Sequence, residues 1–129
     1  MKLYQAVAGA LQAQETCLKR GNDEWHSKHW DRIAGLVAEH MPSGAGFDNG
    51  TRLCETSTQD KLIFNSEYHM MNDGGYYDGW LCFQVAVTAS MVFGYELTIH
   101  GLTAEDGEAH GDYIHEVFSS SLDTEITDN

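Results

Sequence analysis

The sequence predicts an α+β fold: an N-terminal helical hairpin, a four-stranded antiparallel meander sheet and a C-terminal helix, in the order ααββββα. Three observations predict it. Apolar residues recur at helical spacing through the first forty positions. From Thr51 the period changes to strict alternation. The alternating runs are joined by short connections rich in turn residues, which antiparallel neighbours can use and parallel ones cannot.

The elements follow in order. Residues 3–20 read as a helix with Leu3, Val7, Leu11 and Leu18 near one face, and Ala6, Ala8, Ala10 and Ala13 favour it. "RGND" breaks it, with Gly21 suited to the C-terminal turn and Asn22 or Asp23 to a cap. Residues 24–41 form the second helix through Trp30, Ile33, Ala34, Leu36, Val37 and Met41. A link this short makes the two an antiparallel pair. Pro42 ends the second helix, and "PSGAGFDNG" reads as a loop. "TRLCET", "KLIFNSEYHMM", "WLCFQVAVTA" and "MVFGYELTIHG" are the strands. In the second, Leu62, Phe64, Ser66, Tyr68 and Met70 share a face. In the third, Leu81, Phe83, Val85 and Val87 oppose Trp80, Cys82, Gln84 and Ala86. "LTAEDGEAHG", residues 102–111, reads as an acidic loop. Residues 112–122 close the chain as a helix burying Tyr113, Ile114, Val117, Phe118 and Leu122.

The 129 residues suit one domain, 1–129, and 42% hydrophobic content suits a packed core. No apolar run approaches the roughly 20 residues of a membrane helix, and the N-terminus reads as amphipathic rather than as a signal. A cytoplasmic setting is expected. Cys17, Cys54 and Cys82 are odd in number and widely spaced, which argues against a disulfide framework; each is expected to be a small buried hydrophobe.

Charge carries the most information. The formal net charge is -13, and all seven Lys and Arg residues lie at or before Lys61. Residues 62–129 hold twelve acids and no Lys or Arg. Such a surface repels nucleic acid and anionic membranes and attracts basic partners. Direct nucleic-acid binding through phosphate contacts is therefore not expected.

No catalytic motif stands out. GxSxG, HExxH and GxxxxGK[ST] are absent. "MMNDGGYYDGW", residues 70–80, lacks the ligand spacing of a calcium loop and reads as a hairpin tip, its glycines tolerating positive φ. Tyr76, Tyr77 and Trp80 beside that tip suit an interface. A metal alternative rests on Glu108, His110, Asp112, His115 and Glu116, with the i, i+3 pair His26 and His29. A His-rich zinc site built on that pair would need His69, His100 or His115 to arrive from the sheet or the last helix.

The runs "HMPSGAGFDNGTRL", "LIFNSEYHMMNDGGYYDGW" and "DYIHEVF" resemble a group of small uncharacterised proteins encoded by bacteriophages, prophages and mobile elements. The resemblance brings no catalytic residues. It implies a bacterial host cytoplasm and anti-defence roles, including anti-restriction and anti-CRISPR inhibition.

The expectation is a non-enzymatic interaction protein without cofactor or metal. It would dock on the basic, nucleic-acid-binding surface of a host defence protein through Glu67, Asp73, Tyr76, Tyr77, Asp78, Glu105, Asp106, Glu108, Asp112 and Glu116. The alternatives are a small metal-binding protein or metal-dependent enzyme using residues 108–116, and a dimeric structural or accessory protein.

Overall fold

In the computed structural model the described backbone comprises residues 1–19, 23–44, 46–71, 77–90 and 94–126, and the described side chains exclude 14–29, 71–78 and 90. Helix α1 spans Leu3–Lys19 and α2 Asp23–His40; strands β1 (Thr51–Leu53), β2 (Lys61–Met71), β3 (Tyr77–Ser90) and β4 (Gly94–His100) follow; α3 (Ala104–Leu122) closes the chain. The four strands form one antiparallel sheet in the order β1-β2-β3-β4. The α+β meander with its C-terminal helix is thus the fold.

Alternation decides which sheet face is buried. Leu62, Phe64 and Ser66 of β2 and Leu81, Phe83, Val85 and Val87 of β3 point one way and are buried. The register lines up Leu53, Phe64, Val85 and Ile99 across all four strands. The helices cover this row. α1 contributes Leu3, Val7 and Leu11, and α2 contributes Ile33 and Val37. From α3 come Ile114, Phe118 and Leu122. Phe118 sits at the centre, its ring 6.1 Å from Phe47, 6.4 Å from Phe64 and 6.0 Å from Phe83. Burying one such side chain stabilises the fold by roughly 1.5–3 kcal/mol.

The last helix corrects the sequence reading. The stretch 102–111 is not a loop: α3 begins at Ala104, so most of it forms the helix's first two turns. Thr103 caps the helix, its hydroxyl oxygen accepting the Asp106 N–H at 3.1 Å, and Glu105 and Asp106 lie in the first turn. Cap and acids favour the positive end of the helix and offset Gly107 and Gly111, each costing about 1 kcal/mol against Ala. Tyr113 is also corrected: it is 45% exposed, although its ring lies 5.8 Å from Tyr68.

Two further readings change. The first strand shrinks to three residues, because Cys54 enters a turn after donating its N–H to Ile63 O at 2.7 Å. Cys54 is half-buried and Cys82 exposed, so neither is a buried hydrophobe; the side chain of Cys17 lies outside the described residues. Cys82 faces outward because alternation gives the inward positions to Leu81 and Phe83.

The chain ends are tied together. Leu3 N–H donates to Thr124 O at 2.9 Å, and Ile126 N–H donates to Met1 O at 2.9 Å. The N-terminal amine meets Glu125 at 2.9 Å, and Lys2 lies 3.7 Å from Asp123.

Candidate functional site

Among the described residues, the acids expected at a partner surface lie on two sides of the sheet. On α3, Glu105, Glu108, Asp112 and Glu116 follow one another at spacings of three, four and four, which keeps them on one side of a helix. All four are exposed. Among the described residues none of them has an ion-pair partner; the basic groups brought near α3 from the chain start meet Asp123 and Glu125 beyond its end. Asp106 stands apart, half-buried in the capping turn.

Glu67 lies on the other side. Its neighbours Ser66 and Tyr68 point into the core, so Glu67 points to the uncovered face of the sheet. There its carboxylate accepts from Asn49 Nδ2 at 2.6 Å and from the Cys82 thiol at 3.8 Å. Asp73 and Tyr76, and the side chains of Tyr77 and Asp78, lie outside the described residues, as do those of His26 and His29. At the base of that tip the register slips between Met70 and Met71: Met70 pairs with Gly79, whereas Met71 pairs with Tyr77. The slip leaves one extra residue on β3, a bulge that redirects the strand.

The uncovered face presents a network that sequence reading missed. His69 stacks on Trp80 of the neighbouring strand, rings 4.5 Å apart and 20° from parallel, and its Nδ1 is 3.9 Å from an Asp48 carboxylate oxygen. The run "GFDNG" is what assembles it. Phe47 is buried in the core, Gly46 O accepts the His69 N–H at 2.7 Å, and Asp48 and Asn49 then reach over β2. The alternation of "NSEYH" was a usable signal for Glu67 and His69; the contribution of Asp48 and Asn49 had none, because a loop has no period. Beside this network lies a cavity of about 710 Å³ lined by Arg52, Asn65, Glu67, Cys82, Gln84 and His100, among others. Its wall is partly fixed already, with Gln84 Nε2 donating to Asn65 Oδ1 at 2.9 Å. The cavity offers donors and acceptors of both charges rather than the carboxylates expected at a partner surface.

The proposed metal cluster at 108–116 is divided. Asp112, His115 and Glu116 are exposed, but His110 is half-buried with its ring 5.9 Å from that of Tyr68. Among the described residues no group of three His, Cys, Asp or Glu side chains is placed to hold a metal ion. Among them also, no helix is long and apolar enough to cross a membrane.

Comparison with protein-family models, curated proteins and solved structures finds no match for the chain.

Proposed function

We propose that the protein is a non-enzymatic binding protein that docks through the outer side of α3 on a basic, nucleic-acid-binding surface of a partner protein. The observation that carries this reading is the row Glu105, Glu108, Asp112 and Glu116, exposed and without a positive partner among the described residues. Four carboxylates along one rigid helix concentrate a negative field that steers a basic partner and selects against acidic ones. The resemblance to small phage and mobile-element proteins supports a bacterial defence protein, such as a CRISPR effector or restriction enzyme, as that partner. Inhibition would then be steric, the acidic helix occupying the surface that otherwise holds nucleic acid. Glu67 lies on the opposite sheet face and takes no part in this contact.

The test is a pull-down from bacterial lysate, followed by affinity measurement against salt with the recovered partner. The quadruple substitution E105Q/E108Q/D112N/E116Q removes the charge and keeps the helix. The expected result is binding that weakens steeply with salt and falls by roughly a hundredfold in the quadruple variant. Affinity indifferent to both would overturn the proposal.

A further inference from the structure

The outer edge of β1 faces a groove of about 580 Å³ whose far wall is α2. In an antiparallel pair, alternate residues of a strand direct their backbone groups to one neighbour and the others direct theirs away. Cys54 N–H bonds to Ile63 O, so Arg52 and Cys54 face β2, and Thr51 and Leu53 present N–H and C=O to the outer edge. Among the described residues no strand pairs with that edge. The wall opposite carries Trp30, Ala34 and Ala38 at spacings of four, so they line one side of α2. Ala34 and Ala38 are exposed and too small to fill the space, and Trp30 is half-buried. Asp48 and Glu55 flank β1 in the chain and line the same groove, with Arg52 between them.

We infer that this groove takes an extended peptide segment of a partner protein, which adds to the sheet as a strand beside β1. Unpaired backbone donors and acceptors at strand spacing, facing an apolar wall, are what strand addition uses: main-chain hydrogen bonds hold the peptide and alternate side chains select it. The groove also specifies the sequence. Residues opposite Thr51 and Leu53 point towards Trp30, Ala34 and Ala38, and must be small and apolar. The residue opposite Arg52 points to the uncovered sheet face and is acidic. The outer two stand opposite Gly50 and Cys54, at the ends of the groove that Asp48 and Glu55 line, and are basic. A second copy is the poorer occupant, because antiparallel pairing of two β1 strands centred on Arg52 sets Arg52 against Arg52, and each chain carries a net charge of -13. The inference is independent of the α3 surface, since β1 and α2 contribute nothing to that row.

The probe is the peptide acetyl-Lys-Val-Glu-Val-Lys-amide, titrated to millimolar concentration into the full, ¹⁵N-labelled chain. Shift changes at the Thr51 and Leu53 amides and the Trp30 indole are expected, with slowed hydrogen exchange at the two amides. The same peptide N-methylated at both valines cannot pair as a strand and is expected to bind at least roughly tenfold more weakly. Ala38→Arg, at an exposed position, is expected to block the groove with the melting temperature unchanged; if it disturbs the fold, the N-methyl comparison decides. No shift change at millimolar peptide, changes centred elsewhere, or equal binding of the N-methylated peptide would each overturn the inference. A dimer by light scattering with Thr51 and Leu53 already protected would give the groove to a second copy and overturn it too.

Discussion

Gly46 packs against the ring of Tyr68: a Cβ at Gly46 would stand 2.5 Å from Tyr68 Cε2. The same residue has φ +104°, a backbone conformation that side chains resist. Tyr68 is held in turn by Phe47, at 5.1 Å between ring centroids, and by Tyr113 and His110 of α3. The loop, the strand and the last helix thus meet at one ring, and Gly46 is the point of closest approach.

Gly46→Ala therefore suffers both strain and overlap and is expected to cost about 2–4 kcal/mol. Gly44→Ala is the comparison, since it shares a positive φ but has nothing within 4 Å of its Cβ; about 1 kcal/mol is expected there. Urea denaturation of both variants checks this. Equal losses would mean that the Tyr68 contact contributes nothing.

Phe118→Ala removes the ring that joins Phe47, Phe64 and Phe83 at a fully buried position. A loss of about 3–5 kcal/mol is expected by denaturant unfolding. Leu102 is only half-buried at the edge of the same core, so Leu102→Ala is expected to cost less.

Tyr95 has its hydroxyl pushed up to about 12, first by burial and then by the Asp123 carboxylate beside it. The hydroxyl shares its single proton between Asp123 Oδ1 at 3.1 Å and Ser119 O at 3.3 Å. The folded value lies above the unfolded one, so the folded state favours the protonated form. The associated stability is fully present below the unfolded value near 10 and is lost as pH rises through about 12. Absorbance titration near 295 nm should show a late-ionising component that is absent in Tyr95→Phe. That variant should lose about 1 kcal/mol of stability at neutral pH with that shared hydrogen bond.

Cys54 has a thiol held below its ordinary pKa, chiefly by hydrogen bonding to the Thr56 side chain at 3.1 Å and then to the Thr56 backbone. More of it is thiolate at neutral pH than in an ordinary cysteine, and the thiolate is the reactive form. Alkylation by iodoacetamide, followed at Cys54 by peptide mass spectrometry, should have a pH midpoint that rises in Thr56→Val. An unchanged midpoint would remove Thr56 as the cause.

The strands were legible because each buries one face: in "KLIFNSEYHMM" the alternation Leu62, Phe64, Ser66 states which side is core before any partner is known. Leu3, Val7 and Leu11, and then Ile33 and Val37, do the same at helical period. The start of α3 was misread for a local reason. "AEDGEAHG" holds two glycines and no apolar stripe, and the signal that outweighs them is the Thr103 cap three residues before Asp106. Phe47 was missed because a buried side chain in a loop has no periodic neighbours to announce it. Without Phe47 in the core, nothing in the sequence brings Asp48 to His69 or Asn49 to Glu67.

The sequence by itself determined the element order, the inward face of each long strand and the confinement of all Lys and Arg to residues 1–61. Those follow from period and composition, which local chain geometry converts directly into faces. Only the tertiary structure decided how the acids are shared out. Packing α3 on the buried face of the sheet sets its row Glu105, Glu108, Asp112 and Glu116 on the side opposite Glu67, and chain closure brings Lys2 to Asp123. It also decided that β1 ends after three residues beside α2, leaving an unpaired edge along a groove. Contacts between residues far apart in the chain depend on packing, and no local pattern encodes them.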